Sequence, residues 1–189
     1  MDNTLTSDLI AYLKEAKDRQ EIGDCLLRYT RGIDRADKEL MQSAYHVDAI
    51  DEHGVASGSP EEFCDWAIGY HTDNQRQHHH IITNTMLDLD GEVAHGETYC
   101  MFWGDNRVGP PTLSFGRYID RFEKRNGAWG IVRRVCINEQ TTTLGETNFP
   151  PEFVAIMKST GPSLRSLDDI SYDRPLLGSR TTTSQEQQA

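Results

Sequence analysis

The sequence predicts an α+β fold in which three or four N-terminal helices precede one curved antiparallel sheet. Three observations carry this. Apolar residues recur at helical spacing as far as Tyr70, the period switches to two near Gln77, and four long period-two segments then follow with no helix between them.

The elements follow in order. After a Thr6-Ser7 cap, Leu9, Ile10, Leu13 and Ala16 form one helical stripe, and Ile22, Cys25, Leu26, Tyr29 and Ile33 form another. The charged Lys17-Asp18-Arg19 step predicts two helices here, the second closed softly by Gly32. A third, from about Asp37 to Tyr45, turns Leu40, Met41 and Ala44 inward, with Asp37 suited to cap it. Ser59-Pro60-Glu61-Glu62 is a strong helix start: a capping hydroxyl, proline at the first position, then acids at the positive end of the dipole. Phe63, Trp66, Ala67 and Tyr70 give that helix its apolar stripe.

Strands are expected over 77–89, then from the Asp90-Gly91 turn to Trp103, over 113–123, and over 128–141 after Asn126-Gly127. The second carries His95, Glu97, Tyr99, Met101 and Trp103 on one face. Residues 1–141 therefore form one domain. Residues 142–178, with a short helix over 151–158 and many apolar side chains, form an arm that covers the pocket mouth or a neighbouring subunit. Residues 179–189 form a polar, mobile tail.

Composition narrows the function. The 189 residues hold 19 Lys+Arg against 30 Asp+Glu, a net charge of −11, which opposes nucleic-acid binding. No apolar run approaches the roughly 20 residues of a membrane span, and the N-terminus lacks a secretory signal, so a cytoplasmic location without membrane partners is expected. The four cysteines are widely spaced and read as reduced core residues. Dinucleotide, Walker, nucleophile-elbow and HExxH motifs are missing, so no cofactor and no metal is expected.

Three constellations can carry chemistry. Asp34 ends a long amphipathic helix one step from the apolar Ile33, so its carboxylate can enter whatever that helix covers. In His78-His79-His80, the first and third share a strand face and the second points away. Arg133 and Arg134 take opposite faces of the last strand, and one must point inward if that strand is central.

The stretches Tyr29-Thr30-Arg31-Gly32-Ile33-Asp34-Arg35-Ala36-Asp37, His80-Ile81-Ile82-Thr83-Asn84 and Phe122-Glu123-Lys124-Arg125-Asn126-Gly127-Ala128-Trp129 resemble the SnoaL-like branch of the nuclear transport factor two-like superfamily, over about residues 7–141. That resemblance implies a cone-shaped sheet around a pocket. Within the branch the pattern is similar to lyases of the hexachlorocyclohexane dehydrochlorinase and scytalone dehydratase type. It implies a catalytic pair, His80 as base and Asp34 as its partner, with Tyr99 and Met101 lining the pocket; in the same reading Tyr99, with Arg134 or Tyr29, binds the substrate where charge develops. Tyr29 stands where the dehydrochlorinase has a lysine. The implied activity is a cofactor-independent elimination of water, halide or a small aldehyde such as formaldehyde from a hydrophobic, aromatic or alicyclic molecule. An isomerase or cyclase, and a non-catalytic module like the dioxygenase small subunit, are the alternatives. A homodimer or homotrimer is expected.

Overall fold

In the computed structural model, which describes residues 3–145 and 149–179, the chain runs through α1 (Asn3–Arg35), α2 (Lys38–Gln42), β1 (Tyr45–Glu52), β2 (Ser57–Gly58), α3 (Pro60–Asn74), β3 (Gln75–Asp90), β4 (Val93–Asn106), β5 (Thr112–Arg125), β6 (Ala128–Thr143) and α4 (Pro151–Met157), then a 3₁₀ turn at Ile170–Tyr172. One six-stranded sheet has the order β2-β1-β6-β5-β4-β3. It is antiparallel except where β1 runs parallel to β6. The fold is the predicted α+β cone, with its sheet curved but unclosed.

Two expectations need correction. The two first helices are one continuous α1. Lys, Asp and Arg do not break a helix by themselves, and Asp18 is instead a buried anchor that accepts hydrogen bonds from Trp129 Nε1 at 2.9 Å and Lys124 Nζ at 2.5 Å. The sheet has six strands rather than four, because Tyr45-His46-Val47-Asp48-Ala49-Ile50-Asp51-Glu52 is too polar to read as a strand. Its backbone groups are satisfied by pairing with β6 and β2.

The core forms where α1 lies across the sheet. Ile22, Cys25, Leu26, Tyr29 and Ile33 are buried against Tyr118, Phe122, Trp129 and Ile131. Upstream, Leu9, Ile10 and Leu13 stay more than half exposed, so nothing among the described residues covers the first helical stripe. Gly32 does not end α1. It admits the Met41 backbone, with which any Cβ there would collide, and so lets α2 fold back under α1. Asp37 caps α2 by accepting from Leu40 N at 3.0 Å. Ser59 and Glu62 complete a reciprocal capping box on α3, as the sequence indicated. Asn126 and Gly127, both at positive φ (53° and 82°), make the tight β5–β6 turn.

None of the described residues of the arm lines the cavity. The arm's second half instead braces the outside of the helix–sheet junction. Arg165 donates to the carbonyls of His71 (2.8 Å) and Gln75 (2.9 Å), and Tyr172 OH donates to Asp37 at 2.8 Å. In the first half, Phe153, Ile156 and Met157 remain exposed. The expected tail at 179–189 lies, apart from Ser179, outside the described residues. Among the described residues, no helix is long and apolar enough to cross a membrane.

Candidate functional site

The cone encloses a cavity of about 710 Å³. Its wall is aromatic, with Tyr29, Phe63, Trp66, Tyr70, Phe102 and Tyr118, while Asn106, Ser114, Asn138 and Thr141 supply polar groups elsewhere on the lining. That is a surface for an apolar molecule carrying a few oxygen functions. His80 lines it too.

Strand alternation explains which residues arrive there. On β4, Ala94, Gly96 and Thr98 are buried, and Cys100 and Phe102 line the cavity. Tyr99 and Met101 therefore sit on the outer face, where Tyr99 is 44% exposed, and neither lines the cavity. The expectation that they bind substrate is corrected: period two fixes which residues share a face but not which face is inside. Cys136 on β6 also lines the cavity.

Arg134 does point inward, and Arg133 outward to Glu52 at 3.0 Å. Yet Arg134 is fully buried and absent from the cavity lining, so it is not placed to touch a substrate. It grips Asp120 with two hydrogen bonds of 2.8 and 2.7 Å and lies over the Tyr29 and Tyr118 rings, 4.3 and 4.2 Å from their centroids. Its role is to hold those rings.

Asp34 and His80 meet. His80 Nδ1 donates to Asp34 Oδ1 at 2.8 Å, and the His80 backbone N–H reaches both carboxylate oxygens at 3.0 and 3.1 Å. Burial opposes ionisation of Asp34, but contacts from His79 and His80 outweigh it and hold the carboxyl well below the usual carboxylate range. An ionised Asp34 accepts a hydrogen bond from the Nδ1–H of His80, which keeps that proton on Nδ1 and leaves Nε2 as the ring's basic nitrogen. Tyr29 flanks the pair with its ring 6.5 Å from that of His80. Burial, with the nearby Asp51 charge, pushes the Tyr29 phenol well above its ordinary value, so it is a donor at neutral pH.

Asp34, His78 and His80 also lie close enough together to suggest a cation site. The hydrogen bonding of His78 argues otherwise. Arg165 donates to its Nδ1 at 3.2 Å, so the proton resides on Nε2, which donates to the Ile33 carbonyl at 3.2 Å. No nitrogen lone pair is left for a metal. Burial, then the neighbouring His80, lowers His78 to about 4. The same causes lower His71, stacked on it at 4.3 Å, to about 3. Both are neutral; His78 is a packing group, while His71 also lines the cavity. His79 stacks on Trp103 at 5.7 Å on the other strand face, as parity required, yet its Nδ1 still comes within 3.7 Å of Asp34 Oδ2.

Sequence reasoning missed His53. It follows β1, lines the cavity and bonds to the buried Asp51. The spacing Asp51-x-His53 puts both on one face of an extended segment, but that signal is visible only once β1 is known.

Comparison with known proteins fits this geometry. The pattern of the SnoaL-like domain matches residues 14–135. No curated protein matches the chain significantly in sequence. Among solved structures, a hexachlorocyclohexane dehydrochlorinase from Novosphingobium barchaimii aligns with a TM-score of 0.67 at 21% identity, covering 74% of this chain and 98% of its own. A scytalone dehydratase-like protein from Novosphingobium aromaticivorans gives 0.61 at 16%, covering 70% and 91%. A Mycobacterium tuberculosis protein of unknown function gives 0.60 at 21%, covering 67% and 75%. At these identities the likeness is one of fold.

Proposed function

The chain belongs to the SnoaL-like domain family, and on that footing we propose that it is a cofactor-independent lyase acting on a hydrophobic, aromatic or alicyclic small molecule. The observation that carries this reading is the 2.8 Å bond from His80 Nδ1 to Asp34 at the edge of an aromatic cavity. His80 Nε2 abstracts a proton from substrate carbon or hydroxyl. Asp34 fixes the tautomer and stabilises the imidazolium that forms. Tyr29, protonated and cavity-facing, donates to the oxygen on which charge develops. The dehydrochlorinase and dehydratase names of the structural neighbours support elimination as the reaction class.

The test is a screen of the pure protein against aromatic alcohols, β-hydroxy carbonyl compounds and their halide analogues, with mass detection of product. Loss of water, halide or formaldehyde supports the reading. A product of unchanged mass would point to an isomerase. We further propose a homodimer or homotrimer, because Leu9, Ile10 and Leu13 on α1 and Ile81, Tyr99 and Ile119 on the sheet's outer face are exposed. Light scattering that finds only the monomer mass would refute it.

A further inference from the structure

We propose that Asp51, His53 and Tyr29 form a second proton-transfer unit on the same cavity, delivering a proton to an oxygen leaving group. The inference rests on His80 acting as base and narrows the substrate class of that reading.

The geometry is that of a relay. His53 Nδ1 donates to Asp51 Oδ1, and the other Asp51 oxygen accepts from the Tyr45 hydroxyl at 2.5 Å. Asp51 is fully buried. A buried carboxyl group calls for hydrogen-bond donors, and the His53 ring and the Tyr45 hydroxyl supply them. Stacking on Phe63, with centroids 4.5 Å apart and planes 24° apart, fixes the ring. With Nδ1 committed to Asp51, Nε2 is left, 3.4 Å from the Tyr29 hydroxyl. His53, Tyr29 and His80 all line the cavity. The other titratable groups around this unit are Tyr118, Arg134, Asp120, Cys64 and Cys136.

Protonation of His53 decides what Tyr29 can do. Beside neutral His53, the Tyr29 hydroxyl donates to Nε2 and its hydrogen is occupied. Beside the imidazolium, Nε2–H donates to the Tyr29 oxygen, which frees the phenol hydrogen for the cavity. The elimination then balances. His80 takes the proton from carbon, and the C–H electron pair becomes the new π bond. The C–O bond breaks with its electron pair on oxygen. Tyr29 protonates that oxygen while the His53 proton moves to Tyr29, and water leaves. His80 ends protonated and His53 neutral, and exchange with solvent resets both. A departing halide needs no such proton. The second unit therefore selects hydrophobic β-hydroxy carbonyl compounds over halides.

The experiment compares parent, His53→Gln, Tyr29→Phe and His80→Ala on a phenyl-substituted β-hydroxyketone and its β-chloro analogue. His80→Ala reports on the base: retained turnover on both compounds would overturn the underlying reading, whatever His53 does. With the base confirmed, His53→Gln should lose roughly 10²-fold on the hydroxyl compound, and at least ten times more there than on the chloride. Equal losses on the two, or turnover of the hydroxyl compound within about threefold of parent, would overturn the relay. If His53→Gln fails to fold, or neither ketone reacts, nitrogen NMR of histidine-labelled parent decides. The relay requires the neutral His53 ring to carry its proton on Nδ1, facing Asp51, with Nε2 open toward Tyr29. A ring that carries its neutral proton on Nε2 would overturn it.

Discussion

Asp34 with His80 and Asp120 with Arg134 both join a carboxylate to a basic side chain beneath the same sheet, yet they differ in what is left over. In the second pair both side chains are wholly buried, and two guanidinium nitrogens are committed to the two carboxylate oxygens. Against the cost of burial, Asp120 holds the Arg134 guanidinium well above its ordinary value. The third guanidinium nitrogen, Nη1, is buried without a hydrogen-bond partner, but neither side chain reaches the cavity, so nothing there can exchange a proton with a ligand. In the first pair, Nδ1 is committed and Nε2 is not, and the ring borders the cavity. A closed pair fixes a shape, whereas an open one is available for proton transfer.

Four measurements can break or sharpen that contrast. The largest effect is expected from His80→Ala, which should lower turnover by roughly 10²–10⁴-fold while melting close to the parent. Near-normal turnover would demote the open pair to pocket lining. Arg134→Ala should act on stability instead. It strands a buried carboxylate, and denaturant unfolding should show a loss of about 3–5 kcal/mol. A loss under about 1 kcal/mol would mean that Asp120 finds another partner, and the closed pair would not be structural.

Acid offers a third test. His78 and His71 have folded values near 4 and 3, lowered first by burial and then by His80. The unfolded chain, with histidines near 6.5, binds more protons between those limits. Stability is therefore full above about pH 6.5 and declines as pH falls toward 4 and 3. Asp34, held well below the carboxylate range, stays ionised through that window. Tm should drop by roughly 5–10 °C between pH 7 and 4. His71→Gln should shrink the drop, and an unaltered drop would place the titration elsewhere. The smallest effect belongs to Tyr99→Ala on the outer face, expected to change turnover less than about twofold; a tenfold loss would mean that this face contributes to the site.

Local physics determined much of this chain from sequence alone. Capping at Ser59 and Asp37, the Asn126-Gly127 turn and the change of period near Gln77 each depend on neighbours within a few residues, and each is found in place. The shared strand face of His78 and His80, with His79 opposite, is equally local. The meeting of Asp34 with His80 was legible only through resemblance, since 46 residues separate them. Tertiary structure alone decided the rest. It made α1 continuous by giving Asp18 a lysine and a buried tryptophan to bind. It chose the outer face for Tyr99 and Met101, because alternation is symmetric until a core covers one side. It recruited the polar β1 segment into the sheet through backbone pairing, which side-chain patterns do not encode, and so carried His53, unnoticed in the sequence, to the cavity that His80 borders.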